Sequence, residues 1–288
     1  MRSRTKRHLT PLDRLSRAPS DPDAMDVSRI SRCKKSTIAE AWAVVSGFPA
    51  AVVEAEATLI AHFARKTFPG LVTDPIIVVQ AEAQEPTPPF WNQQLRSTDR
   101  MRIARFGHRF LAVHFVRAAQ QRYETFETSL LPWLSGWLSS LAAAYDDPGA
   151  GYPIAKVGFG YINEFDFVAA DFDLAKHFRV NVGIDSTTSI EGVEQLGLEF
   201  AWSHRDPEAR VQVKLKAASL AEDDLRLQVR TQVFVDSPAL PGASFTRHEP
   251  LIAQVMRTKE LAKTTFFALA TDSLRASMEP VDADQDDR

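Results

Sequence analysis

Four carboxylates lie close together near the middle of the chain and have the clearest potential for chemistry. Glu164 and Asp166 are separated by one residue, Phe165, in a strand-like segment, so both carboxylates are predicted on one face. Asp171 and Asp173 follow on a second local face. Such oxygen ligands suit Mg²⁺ or Ca²⁺, which makes the group a candidate metal site and a metal-dependent enzyme one hypothesis. A solvated polar strand face explains the same residues more simply, and we favour it.

The other reactive residue types form no catalytic pattern. Seven histidines are scattered along the chain, and no His-Glu-x-x-His motif of a zinc hydrolase occurs. The triplet His204-Arg205-Asp206 matches a kinase catalytic loop, but the required Asn and Gly-rich loop are missing and Pro207 indicates a turn. Gly-x-Ser-x-Gly and the glycine-rich nucleotide loops are also missing. The sequence therefore predicts no catalytic residue and no cofactor, and it favours a protein that is not an enzyme.

Four aromatic residues in the second half of the chain are candidate ligand-binding residues. A cleft between a curved sheet and a long helix commonly holds an apolar ligand. The predicted positions of a strand region and of the C-terminal helix place these aromatic side chains along such a cleft: Phe178, Trp202, Phe266 and Phe267. A small-ligand-binding protein is therefore an alternative hypothesis.

Strands and helices alternate twice along the sequence. In the first half, period-two alternation predicts a strand over residues 53–63, and a β-branched run predicts another over residues 76–81. Residues 100–106 and 109–116 flank Gly107 and predict a hairpin. A 3.6-residue period then predicts a helix over residues 123–145, with a kink at Pro132.

The second half repeats this order. Strands are predicted over residues 156–167, 178–184, 193–202, 210–217 and 225–235. The last two alternate strictly, which is typical of antiparallel strands with one solvated face. A helix is predicted over residues 248–278. The predicted fold class is α+β, with two antiparallel sheet series, each followed by and packed on a long amphipathic helix.

Charge and composition divide the chain into four segments. Residues 1–35 hold ten Lys/Arg and four Asp and lack apolar periodicity, which predicts a basic, disordered extension. Two sheet-plus-helix halves are predicted at residues 36–150 and 151–278, followed by an acidic tail at residues 279–288. Residues 36–288 hold 24 Lys/Arg against 33 Asp/Glu, so nucleic-acid binding is disfavoured except through the basic arm.

The single cysteine and the absence of a long apolar run indicate where the protein acts. Cys33 cannot form an internal disulfide, so an oxidising compartment is not indicated. No stretch approaches the ~18 apolar residues that a membrane-spanning helix needs. We therefore expect a cytoplasmic protein with no membrane partner.

Four segments resemble a sporadically distributed prokaryotic family of unknown function that is catalogued only under a TIGR family number. They match its opening strand, its helix entry, its Tyr-Ile-Asn strand and its last helix, and they occur in the family's order: Phe48–Ala55, Tyr123–Phe126, Gly158–Asn163 and Phe266–Asp272. Gly160 stands where the family usually has Arg. The resemblance implies a shared fold and a bacterial cytosolic setting, and it implies no activity, substrate or catalytic residue.

Binding rather than catalysis is the function that these observations favour. One-sided antiparallel sheets offer edges for an extended peptide and faces for another protein. We expect a protein or peptide partner, and self-association is a further alternative. The small-ligand and metal-enzyme hypotheses stay open at this point.

Overall fold

The structure is a computed structural model with eleven described strands, four α-helices described over their full length and a further helical segment at residues 62 and 64–67. It describes residues 30–33, 36–46, 62, 64–68, 70, 72–74, 93–107, 110–117, 126–144, 156–168, 172–180, 195–205, 208–219, 224–236 and 248–282.

The strands are, in chain order, β1 Ile30–Cys33, β2 Ile38–Ser46, β3 Val72–Asp74, β4 Gln93–Arg96, β5 Arg102–Gly107, β6 Phe110–Val116, β7 Lys156–Val168, β8 Gln195–Arg205, β9 Glu208–Ser219, β10 Asp224–Asp236 and β11 Pro280–Asp282. The helices are α1 Leu131–Ala144, α2 Leu174–His177, α3 His248–Leu269 and α4 Asp272–Ser277. A π-helical turn, Phe126–Leu130, directly precedes α1.

Chain contacts divide the protein into two compact units. The larger unit comprises residues 36–173 and 183–263, and the smaller one comprises residues 1–35, 174–182 and 264–288. The larger unit contains one antiparallel sheet of nine described strands in the order β3-β4-β5-β6-β2-β7-β10-β9-β8. The chain is therefore an α+β protein built on a single large antiparallel sheet.

The two strand series join in the middle of this sheet. The pairing runs through β2 and β7, with Ala41 opposite Tyr161 and Ala43 opposite Phe159. The expectation of two separate sheets is therefore not confirmed, and the division into halves at residues 36–150 and 151–278 stays a prediction. Alternation shows that each strand has one buried face, but it does not determine which strands become neighbours.

Alternating burial gives the sheet two distinct faces. On β9, Val211, Val213 and Leu215 are buried, whereas the residues between them are partly or fully exposed. On β10, Val229 and Val233 point to this same side, because they lie opposite Leu215 and Val211. We call this side the inner face and the opposite side the outer face.

The two long helices contact the inner face. The ring of Phe126, in the π-helical turn, lies 5.5 Å from that of Phe159 on β7. The hydroxyl of Tyr161 donates a 2.7 Å hydrogen bond to the carbonyl O of Ala262 on α3. Lys259 of α3 lies 5.2 Å above the Phe126 ring, so the two helical segments also contact each other. The buried core of the larger unit thus lies between the inner face and these helices.

Pro132 marks the start of α1 rather than its middle. The predicted helix over residues 123–145 is seen as the π-helical turn followed by α1, and Pro132 is the second residue of α1. Pro132 lacks the amide that would donate to a carbonyl group one turn earlier, so the regular hydrogen-bond pattern is interrupted where the π-helical turn meets α1.

The smaller unit contains the short elements α2 and α4 and the last turns of α3. Phe178 forms an antiparallel bridge with Ala270, and the amide of Thr271 donates to the carbonyl O of His177. This bridge ends α3 at Leu269, so the helix predicted over residues 248–278 is interrupted. The strand predicted over residues 178–184 begins at this bridge, and residues 181–184 lie outside the described residues.

A two-stranded sheet of β1 and β11 also belongs to the smaller unit. Cys33 lies opposite Pro280, and Ile30 opposite Asp282. The predicted basic extension, residues 1–35, and the predicted acidic tail, residues 279–288, each contribute a strand. Strands this short leave little periodic signal in the sequence, and the two predicted segments stay predictions, because residues 1–29, 34, 35 and 283–288 lie outside the described residues.

The predicted hairpin and four of the predicted strands of the second half are present in the structure. The hairpin is confirmed as β5 and β6, and strands β7, β8, β9 and β10 lie where alternation predicted them. The strands predicted over residues 53–63 and 76–81 lie outside the described residues, except that His62 is helical. No described helix is both long and apolar enough to cross a membrane.

Candidate functional site

The outer face carries a cluster of polar and aromatic side chains at the junction of β2, β6 and β7. Its members are Glu40 and Trp42 of β2, His114 of β6, Arg230 of β10 and Gly160 of β7. Trp42 lies directly opposite His114 on one side and Gly160 on the other. We call these five residues the outer-face cluster.

Gly160 makes room for the indole of Trp42. A Cβ atom at this position would clash with Cζ2 of Trp42 and lie 2.9 Å from the backbone O of Thr231. Trp42 is consequently 4% exposed, although it lies on the polar side of the sheet. Gly158 makes room for the ring of Phe234 in the same way, since a Cβ there would lie 2.5 Å from a ring atom of Phe234. Glycine within a strand thus lets neighbouring aromatic rings lie flat across β7.

Trp42 is stacked between two nitrogen-bearing side chains. The His114 ring lies 6.2 Å away, with its plane inclined by 26°. The guanidinium carbon of Arg230 lies 4.8 Å from the centre of the Trp42 ring, a cation–π geometry. Arg230 is exposed, so its guanidinium is held over the indole yet remains accessible to solvent.

His114 and Glu40 form an ion-pair geometry beside the indole. Nδ1 of His114 donates to Oε1 of Glu40 over 2.6 Å, and the histidine is 8% exposed. Burial raises the pKa of Glu40, but the hydrogen bond and charge of His114 lower it. The charges of Arg105 and Arg230 lower it further, and the net pKa lies below its ordinary value of 4.5. Glu40 is therefore a carboxylate at neutral pH.

A row of basic residues continues from this cluster across β10 and β9. Lys214 lies directly opposite Arg230 on the outer face. Lys216 and Arg210 lie on the same side of β9 as Lys214, with Gln212 between Arg210 and Lys214, and both are exposed. We call Arg210, Lys214, Lys216 and Arg230 the basic row. Like charges that face each other across two strands repel, and here Glu199 beside Lys214 and Glu40 near Arg230 offset part of that repulsion.

Two carboxylates on this face are already engaged by basic residues of the chain. Asp166 receives two hydrogen bonds from Arg226, at 2.7 and 3.2 Å, and this contact lowers the pKa of Asp166. Oε2 of Glu199 lies 2.9 Å from Nζ of Lys214 and forms an ion pair with it. Within the described part of the chain, Lys216 and Arg210 have no carboxylate partner of this kind.

The predicted metal ligands are placed only in part. Glu164 and Asp166 share the outer face of β7, as predicted, but the Gln228 amide donates to Glu164 at 2.7 Å and Arg226 engages Asp166. Asp173 is exposed, and Asp171 lies outside the described residues. Across the residues that the structure describes, no three His, Cys, Asp or Glu side chains form a group that could hold a metal ion.

The predicted ligand-binding aromatics belong to different units. Phe178, Phe266 and Phe267 belong to the smaller unit and are all buried, and the rings of Phe266 and Phe267 lie 5.3 Å apart. Trp202 belongs to the larger unit and lies on β8, opposite Val211. The ligand pocket stays a prediction.

The outer-face cluster was not predicted from the sequence. Its members come from four strands that are distant in sequence, so no local spacing connects them. One signal was present: Gly158 and Gly160 alternate within an otherwise strongly β-forming segment, and strand glycines often mark a close approach of neighbouring groups.

No family model, curated protein or solved structure matches this chain. The resemblance to the sporadically distributed prokaryotic family therefore stays a prediction based on four short segments. The function must be argued from the site itself.

Proposed function

We propose that the protein is a cytoplasmic binding protein that recognises an acidic segment of a partner protein on the outer face of its sheet. The observation that carries this proposal is the basic row beside Trp42. It presents Lys216, Arg210 and Arg230 as exposed cations on a face opposite to the one that the helices contact.

Charge complementarity supports an acidic partner. The carboxylates Asp166 and Glu199 on this face are neutralised by Arg226 and Lys214 of the protein itself. Additional carboxylates from outside would offset the repulsion between Lys214 and Arg230, which face each other. Binding would therefore relieve an unfavourable interaction as well as form new ones.

The exposed guanidinium of Arg230 supports a peptide with an aromatic side chain among its acidic residues. It lies 4.8 Å from the centre of the Trp42 ring, which is itself buried and held in place by the space above Gly160. Arginine stacks on aromatic rings as well as pairing with carboxylates, and side chains that are already ordered contribute most to protein recognition. The hydrogen bond between His114 and Glu40 holds the ring that lies beside the indole.

The charge of the whole chain favours a protein over a nucleic acid. Residues 36–288 carry nine more acidic than basic residues, as the 33 Asp/Glu and 24 Lys/Arg show. A polyanion as dense as a nucleic acid would be repelled by most of this surface, whereas a short acidic peptide contacts only the basic row.

A fluorescence-anisotropy titration tests the proposal with the full chain. The probes are a labelled twelve-residue peptide of alternating Glu and Phe, its Gln-for-Glu counterpart, and labelled oligo-dT. We expect the acidic peptide to bind, and the affinity to fall as salt is raised from 50 to 300 mM. Arg230→Gln and Lys216→Gln should each weaken binding about tenfold, the loss of one charge-assisted contact.

Arg257→Gln is the matched control, because Arg257 is an exposed arginine on α3 and not on the outer face. It should bind the peptide like the wild type. Equal binding by all three variants, equal binding of the uncharged peptide, or tighter binding of oligo-dT would each refute the proposal.

A further inference from the structure

Among the strands that the structure describes, β3 and β8 lie at the two ends of the large sheet, and they differ in length and in sequence. At one end, β3 has 3 residues and is followed directly by Pro75. At the other end, β8 has 11 residues and contains neither proline nor lysine. Natural sheets protect their edges from further pairing by short strands, proline and lysine. β3 has such protection, whereas β8 lacks these features.

The inner-face side chains of β8 are also incompletely covered. Leu198, Phe200 and Trp202 are half-buried, whereas their neighbours on β9, Val213 among them, are fully buried. Nε1 of Trp202 is buried and has no hydrogen-bond partner in the described part of the chain. An additional strand beside β8 would cover these apolar groups and pair with the backbone amides and carbonyls along the outer edge of β8.

We propose that this strand is β8 of a second copy, paired antiparallel about a two-fold axis at Trp202. For the inner faces of the two sheets to be continuous, the axis must pass through a residue, so that like-facing side chains lie opposite each other. The interface is then isologous, and each contact occurs twice.

The charged residues of β8 favour one register for its pairing with β8 of the second copy. With the axis at Trp202, Glu199 lies opposite Arg205 of the second copy, and Ala201 lies opposite its Ser203. Two symmetric ion pairs therefore form on the outer face. An axis at Glu199 or at Arg205 would instead place like charges opposite each other, which is unfavourable.

The existing contacts of Glu199 are compatible with this register. Its Oε2 is 2.9 Å from Lys214, and its carboxylate also accepts from the amide of Gln212. A carboxylate accepts several hydrogen bonds at once, so the Arg205 guanidinium of the second copy can approach from the free side. Arg205 is exposed and lies opposite Glu208 of its own chain, and a guanidinium has enough donors to contact both carboxylates.

Analytical ultracentrifugation of the full chain from 1 to 200 μM tests the inference. We expect the wild type to be a dimer in reversible equilibrium. Glu199→Arg and Arg205→Glu should each raise the dimer dissociation constant about tenfold or more, because each places like charges opposite each other. The double variant, Glu199→Arg with Arg205→Glu, restores opposite charges and should return to the wild-type constant.

Lys214→Gln is the matched control, since it removes the ion pair between Lys214 and Glu199 and leaves the residues of β8 unchanged. It should dimerise like the wild type. A monomer throughout this range, or single variants that dimerise like the wild type, would overturn the inference. So would a double variant no better than the single ones.

Dimerisation through β8 does not depend on the proposed peptide recognition. Arg230→Gln and Lys216→Gln leave β8 unchanged, so peptide binding and dimerisation can fail separately.

Discussion

Gly160 controls how Trp42 packs, and this leads to a prediction at the scale of one residue. An alanine Cβ at this position would lie 2.7 Å from Cε2 of Trp42 and 2.9 Å from the Thr231 carbonyl O, closer than side chains tolerate. We expect Gly160→Ala to lower the free energy of unfolding by ~1–3 kcal/mol, the usual cost of overpacking. Urea unfolding followed by circular dichroism measures this change.

Gly197→Ala is the control for that substitution. Gly197 is also a strand glycine, but a Cβ added there would have no atom within 4 Å. Its alanine variant should match the wild type or be slightly more stable. If both variants unfold alike, Trp42 does not rely on the space above Gly160.

The lowered pKa of Glu40 predicts a pH dependence of stability. A carboxyl group whose pKa is lower in the folded protein than in the unfolded chain stabilises the fold above the unfolded value. For Glu40 this contribution is present above about 4.5 and is lost as the pH falls through its lower folded pKa. Glu40→Gln should therefore be less stable than the wild type at pH 7, and the difference should shrink below pH 4.

Urea unfolding of both proteins at pH 7, 5, 4 and 3 measures this effect. Glu249→Gln serves as the control, because Glu249 is an exposed residue of α3 outside the outer-face cluster. A difference between Glu40→Gln and the wild type that is constant with pH would contradict the prediction.

Residues of the outer-face cluster show why a site can escape prediction from sequence. Trp42 and His114 are separated by 71 intervening residues along the chain and meet only because β2 pairs with β6. Glu164 and Asp166 were predicted on one face because a period of two is a local property. Their engagement by Gln228 and Arg226 depends on the neighbouring strand, which local patterns do not identify.

At the scale of elements, Thr271 determines where α4 begins. Its backbone is extended and its Oγ1 accepts a hydrogen bond from the amide of Leu274, the geometry of a helix N-cap. The same hydroxyl donates to the carbonyl O of Lys176 at 2.7 Å, which links α4 to α2. We expect Thr271→Ala to destabilise the smaller unit by ~0.5–2 kcal/mol.

Hydrogen exchange of the α4 amides, followed by mass spectrometry, measures this local loss. Ser273→Ala is the control, because Ser273 is exposed within α4 and does not cap it. Thr271→Ser should keep most of the protection, since serine also caps helices. Unchanged exchange in Thr271→Ala would show that the cap contributes nothing measurable.

Element prediction succeeded where burial alternates and failed where tertiary contacts end an element. β9 and β10 alternate strictly in sequence, and both were predicted within a few residues. The helical pattern of residues 248–278 continues through Ala270, but its bridge to Phe178 breaks the helix there. Such a bridge depends on a segment about 90 residues away, so the sequence pattern could not reveal it.

At the scale of the whole molecule, the single sheet means that the chain halves depend on each other. β2 comes from the first half and lies between β6 and β7, so a cut at residue 150 exposes one complete edge of β2. The cut also separates the first half from α3, which contacts Phe126 and Tyr161 on the inner side.

We therefore expect residues 36–150, expressed alone, to lack a cooperative unfolding transition, and residues 151–288 to behave likewise. Mixing the two fragments should restore strand circular dichroism and a cooperative transition, because the β2–β7 pairing can form between separate chains. A fragment of residues 36–150 that unfolds cooperatively on its own would contradict this view and would support the two independent halves that the element order first suggested.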